Sequence, residues 1–460
     1  MAVDSTIERL SKRTKLIYGS GDLGFALTDS MIGVMLAIFL VDVVGLNPGL
    51  AAVAIFIGRS VDYINDPLIG YISDRTRTRW GRRRPFLLFG FLPYAILFAM
   101  LWWIPPFESQ VWLAVYYGAI YALYDTAATI LYMPYYALTP ELTQNYDERT
   151  SLTSYRMAFS LFGTMLAFTV PLAVIGSLRP ENAGKILAVA AVLGLASALP
   201  QLLVFFGTHE NPEYMHMAEP ALKDSLRAAF RNKPFLIVMG IFLFTWMALE
   251  IIQATLLFFL KYRMNLESQS DIITATIFVT ALIMLPFWSW VSGRWDKRTA
   301  YIAGMIYFCV VMVGLIFIEP AWGMAPFMTM AVLAGIGISA VQVLPWAMIP
   351  DAVEWDELST GERHEGMFYS LVTLFRKIAV SVVVPLALLV LSASGYVSNA
   401  AVQPTSAING IRILMGPIPV ALLVVGIGFA FFYPLNRQSF AKIRAELAER
   451  KGKNNPPFGS

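Results

Sequence analysis

Cysteine, histidine and charge are the scarce elements of this chain. One cysteine, Cys309, stands in 460 residues, which excludes a disulfide framework. The three histidines, His209, His216 and His364, fall between apolar runs and supply no metal set. Charged residues make up only 14% of the chain, against about 25% in a soluble protein. No glycine-rich nucleotide loop is present, so ATP drive is not expected. No nucleophile–base set is present either, so the chain is not read as an enzyme and needs no cofactor.

What is abundant is apolar. The chain is 57% hydrophobic and 13% aromatic. A hydrocarbon core is crossed by about 20 apolar residues in helical form. Twelve such runs are present, at 16–42, 49–74, 85–105, 110–139, 152–177, 184–207, 233–260, 271–293, 299–319, 324–350, 366–395 and 409–434. The fold class read from this is an all-α polytopic membrane protein of twelve transmembrane helices in two pseudo-symmetric six-helix bundles. The first run is too long and glycine-rich for a leader, so no cleavable signal is expected.

Charge sets the orientation. With the first residues placed in the cytoplasm, 25 of the 34 Lys and Arg fall in cytoplasmic segments. Six arginines lie between Arg75 and Arg84 alone, in "RTRTRWGRRR". The positive-inside rule therefore puts both termini in the cytoplasm, at a cell membrane. The basic knot is read as a topology lock that meets anionic headgroups rather than nucleic acid.

The longest polar interval, 208–232, divides the runs six to six. The expected layout is a six-helix bundle at 1–207, a central cytoplasmic loop at 208–232, a second bundle at 233–434 and a cytoplasmic tail at 435–460. Within the loop, "DSLRAAFRN" resembles an interfacial amphipathic helix. A repeat supports the halving: "GYISDRTRTRWGRRR" after the second run is echoed by "SWVSGRWDKR" after the eighth. Two similar halves about a midplane site are the pattern of secondary transporters.

A few charges sit inside the apolar runs. Arg59, Asp62 and Asp66 are three and four residues apart and share one helix face. A carboxylate at mid-bilayer costs roughly 2.5–3.5 kcal/mol even on lenient insertion scales. Two carboxylates a turn apart with one arginine fit a hard cation such as Na⁺, or a proton. An internal Arg59–Asp62 pair that staples packing is the alternative. Lys377 lies deep in the eleventh run with Thr373 one turn earlier; a lysine competing for the same carboxylates would couple ion binding to helix movement. Asp22, Asp29, Asp125 and Glu250 are further intramembrane acids, and Glu250 has Gln253 one turn on and Trp246 one turn back. Tyr132, Tyr135 and Tyr136 flank Pro134 and are read as cavity residues, while Trp102, Trp103 and Trp322 are read as an interfacial belt.

"YGSGDLG", "GRSVDYINDPLIGYISDRTRTRWGRRRP", "MPYYALTPELTQNYDERTSLTSYR", "IPDAVEWDE" and "FRKIAVSV" occur in this order. In that combination the chain resembles the glycoside–pentoside–hexuronide:cation symporters of the major facilitator superfamily, of which the melibiose permease is the best-known member. The resemblance implies that Asp62 and Asp66 bind the coupling cation with Lys377 and Thr373 beside them, that Arg156 stands near the sugar, and that Asp351, Glu354 and Arg363 belong to a cytoplasmic gate. At the two positions where that permease holds its sugar with aspartates, this chain has Ala26 and Tyr132, and Gln342 replaces a tryptophan on the tenth helix. A more distant branch with the same helix-2 and helix-11 charges imports lysophospholipids in animals.

The expected function is cation-coupled (Na⁺ or H⁺) import of a sugar, glycoside or sugar acid by alternating access. The alternative is transport of a lysophospholipid or another amphiphilic anion. Asp22, Tyr132, Arg156, Glu250, Gln253, Gln342 and Trp346 are the expected solute contacts. A small-molecule solute, a coupling cation and membrane lipids are the expected partners, nucleic acid is not, and the chain is expected to act as a monomer.

Overall fold

A computed structural model describes residues 10–143, 146–210, 229–360, 365–400, 402–435, 439–440, 442–443 and 446. Their regular structure is helical, save one isolated bridge between Thr78 and Gly81. In lipid a backbone must satisfy its own polar groups, which leaves helices as the solution for runs of this composition.

α1 (Lys12–Met31) continues through two π-helical turns, Ile32–Leu36 and Phe39–Val43. α2 (Pro48–Ser60) and α3 (Asp62–Arg75) make one crossing that is interrupted at Val61. α4 (Arg84–Leu101), α5 (Gln110–Ala137), the single turn α6 (Thr139–Leu142), α7 (Tyr146–Ile175) and α8 (Ala183–Gly207) follow. α9 (Lys233–Phe258) ends in a π-helical turn, Phe259–Arg263. Then come α10 (Ser270–Arg294), α11 (Lys297–Phe317), α12 (Met324–Thr360) and α13 (Glu365–Ala393). α14 (Thr405–Met415) and α15 (Pro417–Phe431) share the last crossing. Among the described residues nine helices are long and apolar enough to cross a membrane. The first two crossings fall short through their interruptions and charges, and α5 carries seven tyrosines. Among the described residues the helices thus form twelve long segments where twelve crossings were expected.

Local chemistry sets the helix ends. The Asn47 side chain accepts from Gly49 N at 2.9 Å, with Pro48 at the first helical position of α2, a strong start signal. Ser11 caps α1 through Thr14 N at 3.0 Å. Sequence and structure differ on α12. Its apolar run stops at 350, but the helix continues to Thr360, because a helix that outruns the apolar slab keeps its hydrogen bonds while losing its hydrophobic pattern. The interval 224–232 is described only from Ala229, and Ala229–Arg231 is helical.

One aromatic expectation is corrected. Trp102 is fully buried against Phe39 (5.1 Å between ring centroids) and Phe98 (6.1 Å), so it is a core side chain. Trp103 and Trp322 are exposed. A tryptophan at a helix end reads alike in sequence whether it faces lipid or a neighbouring helix.

The contacts divide the chain into two compact units. The first contains residues 1–217 together with 253–275 and 384–410; the second contains 218–252, 276–383 and 411–460. In the first unit α1 packs on α7 and α8, α4 on α5 and α8, and α2 and α3 on α5. Glycine allows the closest of these approaches: a Cβ on Gly24 would strike the Ser197 carbonyl, and one on Gly163 would strike that of Leu23. Tyr18 and Tyr135 clasp α1 to α5 reciprocally. The Tyr18 hydroxyl donates to the Tyr135 carbonyl at 3.0 Å, and the Tyr135 hydroxyl donates to that of Tyr18 at 2.6 Å. In the second unit α11 packs on α12 and α15, and the Trp288 indole donates to the Ile336 carbonyl at 2.9 Å.

The basic turn before α4 is organised by one acid. Glu210 accepts from the backbone N–H of Arg82, Arg83 and Arg84 at 2.8, 2.9 and 2.9 Å. A carboxylate at a helix N-terminus meets free donors and the positive end of the dipole. Gly81, at φ 104°, takes the left-handed conformation that brings the chain round.

Candidate cation and solute sites

α3 carries Asp62 and Asp66 one turn apart, both half-buried. Pro67 follows directly and offers no N–H to the Tyr63 carbonyl one turn back. α5 completes the cluster. The Thr129 hydroxyl, 5% exposed, lies 3.2 Å from Asp62 Oδ1 and 3.4 Å from Asp66 Oδ1. It has one proton and faces two carboxylates, so it bridges them. Asn65 Nδ2 donates to Thr126 Oγ1 at 2.7 Å, which fixes α3 against α5 beside that bridge. Thr129, Thr126 and Asn65 were not singled out in the sequence. Their signal is faint, because threonines in a membrane helix most often bond their own backbone.

Arg59 is held by the same helix. Its Nε donates to the Tyr121 hydroxyl at 2.6 Å, and the Tyr121 ring lies flush against Gly58, where a Cβ would collide with it. The sequence reading gave Arg59 only acidic partners. A tyrosine is a second partner, because α2 and α5 are in backbone-close contact there.

A buried acid–base pair also joins α1 to α7 in this unit. Arg156 Nε on α7 donates to Asp22 Oδ2 on α1 at 3.1 Å. The pair is largely buried, with 15% and 5% of the side chains exposed. The Arg156 guanidinium lies over the Tyr136 ring at 4.5 Å and the Tyr135 ring at 5.6 Å. Phe25 and Tyr132 extend this aromatic wall, 4.8 Å apart. Arginine on tyrosine faces gains a cation–π term when desolvated. Arg156 is thus an inward group, not one that reaches for the headgroups. Gln253 stands in this first unit too, its Oε1 close to Gly33.

The second unit holds the remaining expected contacts. Glu250, buried, has Arg376 Nη2 at 3.9 Å. The Arg376 guanidinium lies 4.4 Å over the Trp246 ring. Trp246 stacks on Phe242 at 5.6 Å, Phe242 meets Trp346 edge-on at 4.8 Å, and Trp346 stacks on Tyr369 at 6.3 Å. Gln342 is half-buried. Arg376, the neighbour of Lys377 in sequence, is thus paired with Glu250. Thr373 is exposed and donates to the Tyr369 carbonyl at 3.0 Å; Lys377, one turn on, is half-buried. Both belong to the second unit, whereas Asp62 and Asp66 belong to the first.

Of the expected gate, Asp351 is buried and bonded to Lys297 Nζ at 2.5 Å. Lys297 is a partner the sequence did not suggest. Glu354 is half-buried on the next turn of α12. Arg363 lies outside the described residues. Among the described residues no group of three or more His, Cys, Asp and Glu side chains is arranged to hold a metal ion.

Residues 17–437 match the sequence profile of the family described as MFS/sugar transport protein. The chain is 33% identical to an uncharacterized symporter of Synechocystis sp., with 99% of this chain and 100% of that protein covered. It is 28% identical to the sodium-dependent lysophosphatidylcholine symporter 1-A of Danio rerio, over 92% of this chain and 86% of that one. Among solved structures, the nucleoside transporter NupG superposes with a TM-score of 0.68 at 14% identity, over 92% of this chain and 100% of NupG.

Proposed function

The chain belongs to the MFS/sugar transport protein family, and from that premise we propose that it is a cation-coupled symporter working by alternating access in a cell membrane, with its termini in the cytoplasm. The observation that carries the proposal is the Asp62–Thr129–Asp66 cluster, two carboxylates bridged by one buried hydroxyl. Oxygen donors of this kind suit a hard cation, Na⁺ first and H⁺ second. A bound cation offsets the cost of two acids in a thin polar seam. Lys377, on α13 of the second unit, is the coupling residue of that unit in this reading, the group through which cation binding is transmitted to solute movement.

The solute-facing groups of the first unit are the Arg156–Asp22 pair on its tyrosine wall; those of the second unit are Glu250, Arg376 and Trp246. We read the solute as an amphiphile with an anionic or zwitterionic head, of the lysophospholipid class. Ala26 and Tyr132 remove two carboxylates a galactoside would use, and the polar groups that remain are set among aromatic rings. A sugar or glycoside is the second reading, favoured by the family's description. No bond-making step is assigned to any residue.

The test is uptake into proteoliposomes under an imposed Na⁺ or H⁺ gradient, with labelled lysophosphatidylcholine and labelled glycosides offered separately. Gradient-dependent uptake of the first supports the lysophospholipid reading, and uptake of glycosides alone transfers the site to the second. Uptake of either that ignores both gradients removes the coupling.

A further inference from the structure

Asp42 lies in the second π-helical turn of α1 and is fully buried. Lys261 Nζ and the Tyr262 hydroxyl both donate to its Oδ2 at 2.6 Å. The Tyr396 hydroxyl donates to its Oδ1 at 2.6 Å, the Asn399 N–H approaches the same oxygen at 3.5 Å, and Asn399 Nδ2 donates to the Asp42 carbonyl. Lys261 reaches on to the Leu178 carbonyl at 3.4 Å and lies 3.8 Å from Glu267, which Arg179 holds at 2.8 Å. The rings of Tyr262 and Tyr396 meet edge-on at 5.4 Å. Everything named here belongs to the first compact unit.

One carboxylate therefore ties the end of the first crossing to the end of the seventh and to the segment after the eleventh. These are ends away from the termini, outside in the charge-based orientation. Asp42 and Lys261 both sit in π-helical turns, a local irregularity frequent at functional positions. We propose that the Asp42 cluster is the outer latch of the transport cycle, holding the outer ends of the two halves together and parting to admit solute from outside. This rests on the alternating-access reading above.

The energetics suit a latch better than a permanent pin. An apolar seam of equal size strongly favours the closed state, because opening wets it. A buried ion pair repays its desolvation only when geometry is good, and both partners regain water when they separate. Closed-dry and open-wet forms are then close in free energy, which a two-state element requires. All the donors converge on a single acid, so its charge controls the whole set.

The test is a distance measurement that needs neither solute nor gradient. In a Cys309→Ser background, spin labels go at Ser109→Cys and Val402→Cys, two exposed outer positions. Pulsed electron paramagnetic resonance then reads their separation in vesicles. Asp42→Asn keeps the shape and removes the charge; it is expected to raise the ratio of long to short separations by roughly tenfold or more. Tyr396→Phe deletes one donor without emptying the core, and is expected to give a smaller rise. Should Asp42→Asn fail to fold, Tyr396→Phe decides alone. Parent-like distances in the folded variants, with or without a loss of thermal stability, overturn the latch. A lengthened distance in a protein whose parent ignores every gradient upholds the latch and overturns the coupling.

Discussion

The Thr129 hydroxyl, 3.2 Å from Asp62 Oδ1, brings a second helix to the acids of α3. In the proposed cation site that oxygen would be a ligand as well as a bridge. Thr129→Val keeps the shape and loses the oxygen. Removing one partner of a buried polar contact costs about 1–3 kcal/mol, so the cation concentration giving half-maximal uptake is expected to rise roughly tenfold, with Thr129→Ser close to the parent. A cation titration of uptake or of thermal stability reads this, and an unchanged midpoint in the valine variant removes Thr129 from the site.

Asp62→Asn and Asp66→Asn are expected to abolish concentrative uptake while the protein stays folded and inserted. The amides preserve shape but not the charge that a cation neutralises. Solute exchange down its own gradient should persist. Accumulation at the parental level in both variants would place coupling elsewhere.

The Asp22–Arg156 pair is expected to behave as a unit. Arg156→Met alone leaves Asp22 buried without its guanidinium, and Asp22→Asn alone does the reverse. Each should lower thermal stability, and the double variant should lose less than the sum, with an interaction energy on the order of 1–3 kcal/mol. Additive losses in denaturation would reduce the pair to two independent groups.

Lys377→Ala is expected to stop or uncouple transport. A cation kept deep in an apolar run carries a cost that calls for a role. Concentrative uptake at the parental level in this variant would remove the lysine from the coupling.

The sequence reads well where lipid does the selecting. Apolar runs of about 20 residues leave little but helices, and the crossings appear where those runs lie. The acids of α3 were legible for the same reason, since a charge in such a run calls for a role. Partners on other helices were not. Thr129, Tyr121 and Lys297 carry no unusual sequence signal, and only the packing of α5 on α2 and α3, or the end of α10 leading into α11, brings them to Asp62, Arg59 and Asp351. Asp42 escaped because it lies at the very end of its run, where an acid costs little if water is near. Its complete burial depends on Lys261 and Tyr396, 219 and 354 residues away in sequence.

The contacts at Gly24 and Gly163 constrain how α1 can travel. Elsewhere in a bundle, side chains between two helices change rotamer and let one helix slip along the other by small shear steps. Here the backbones of α1, α7 and α8 meet with no such layer between them. A slip of one helical turn, about 5.4 Å along the axis, would bring Leu27 or Thr28 to the place of Gly24 against the Ser197 carbonyl. Sliding is therefore blocked, and α1 moves only as part of a rigid group with its two neighbours. Asp22 and Arg156 ride on that group, so their separation stays fixed while the wall they stand on turns.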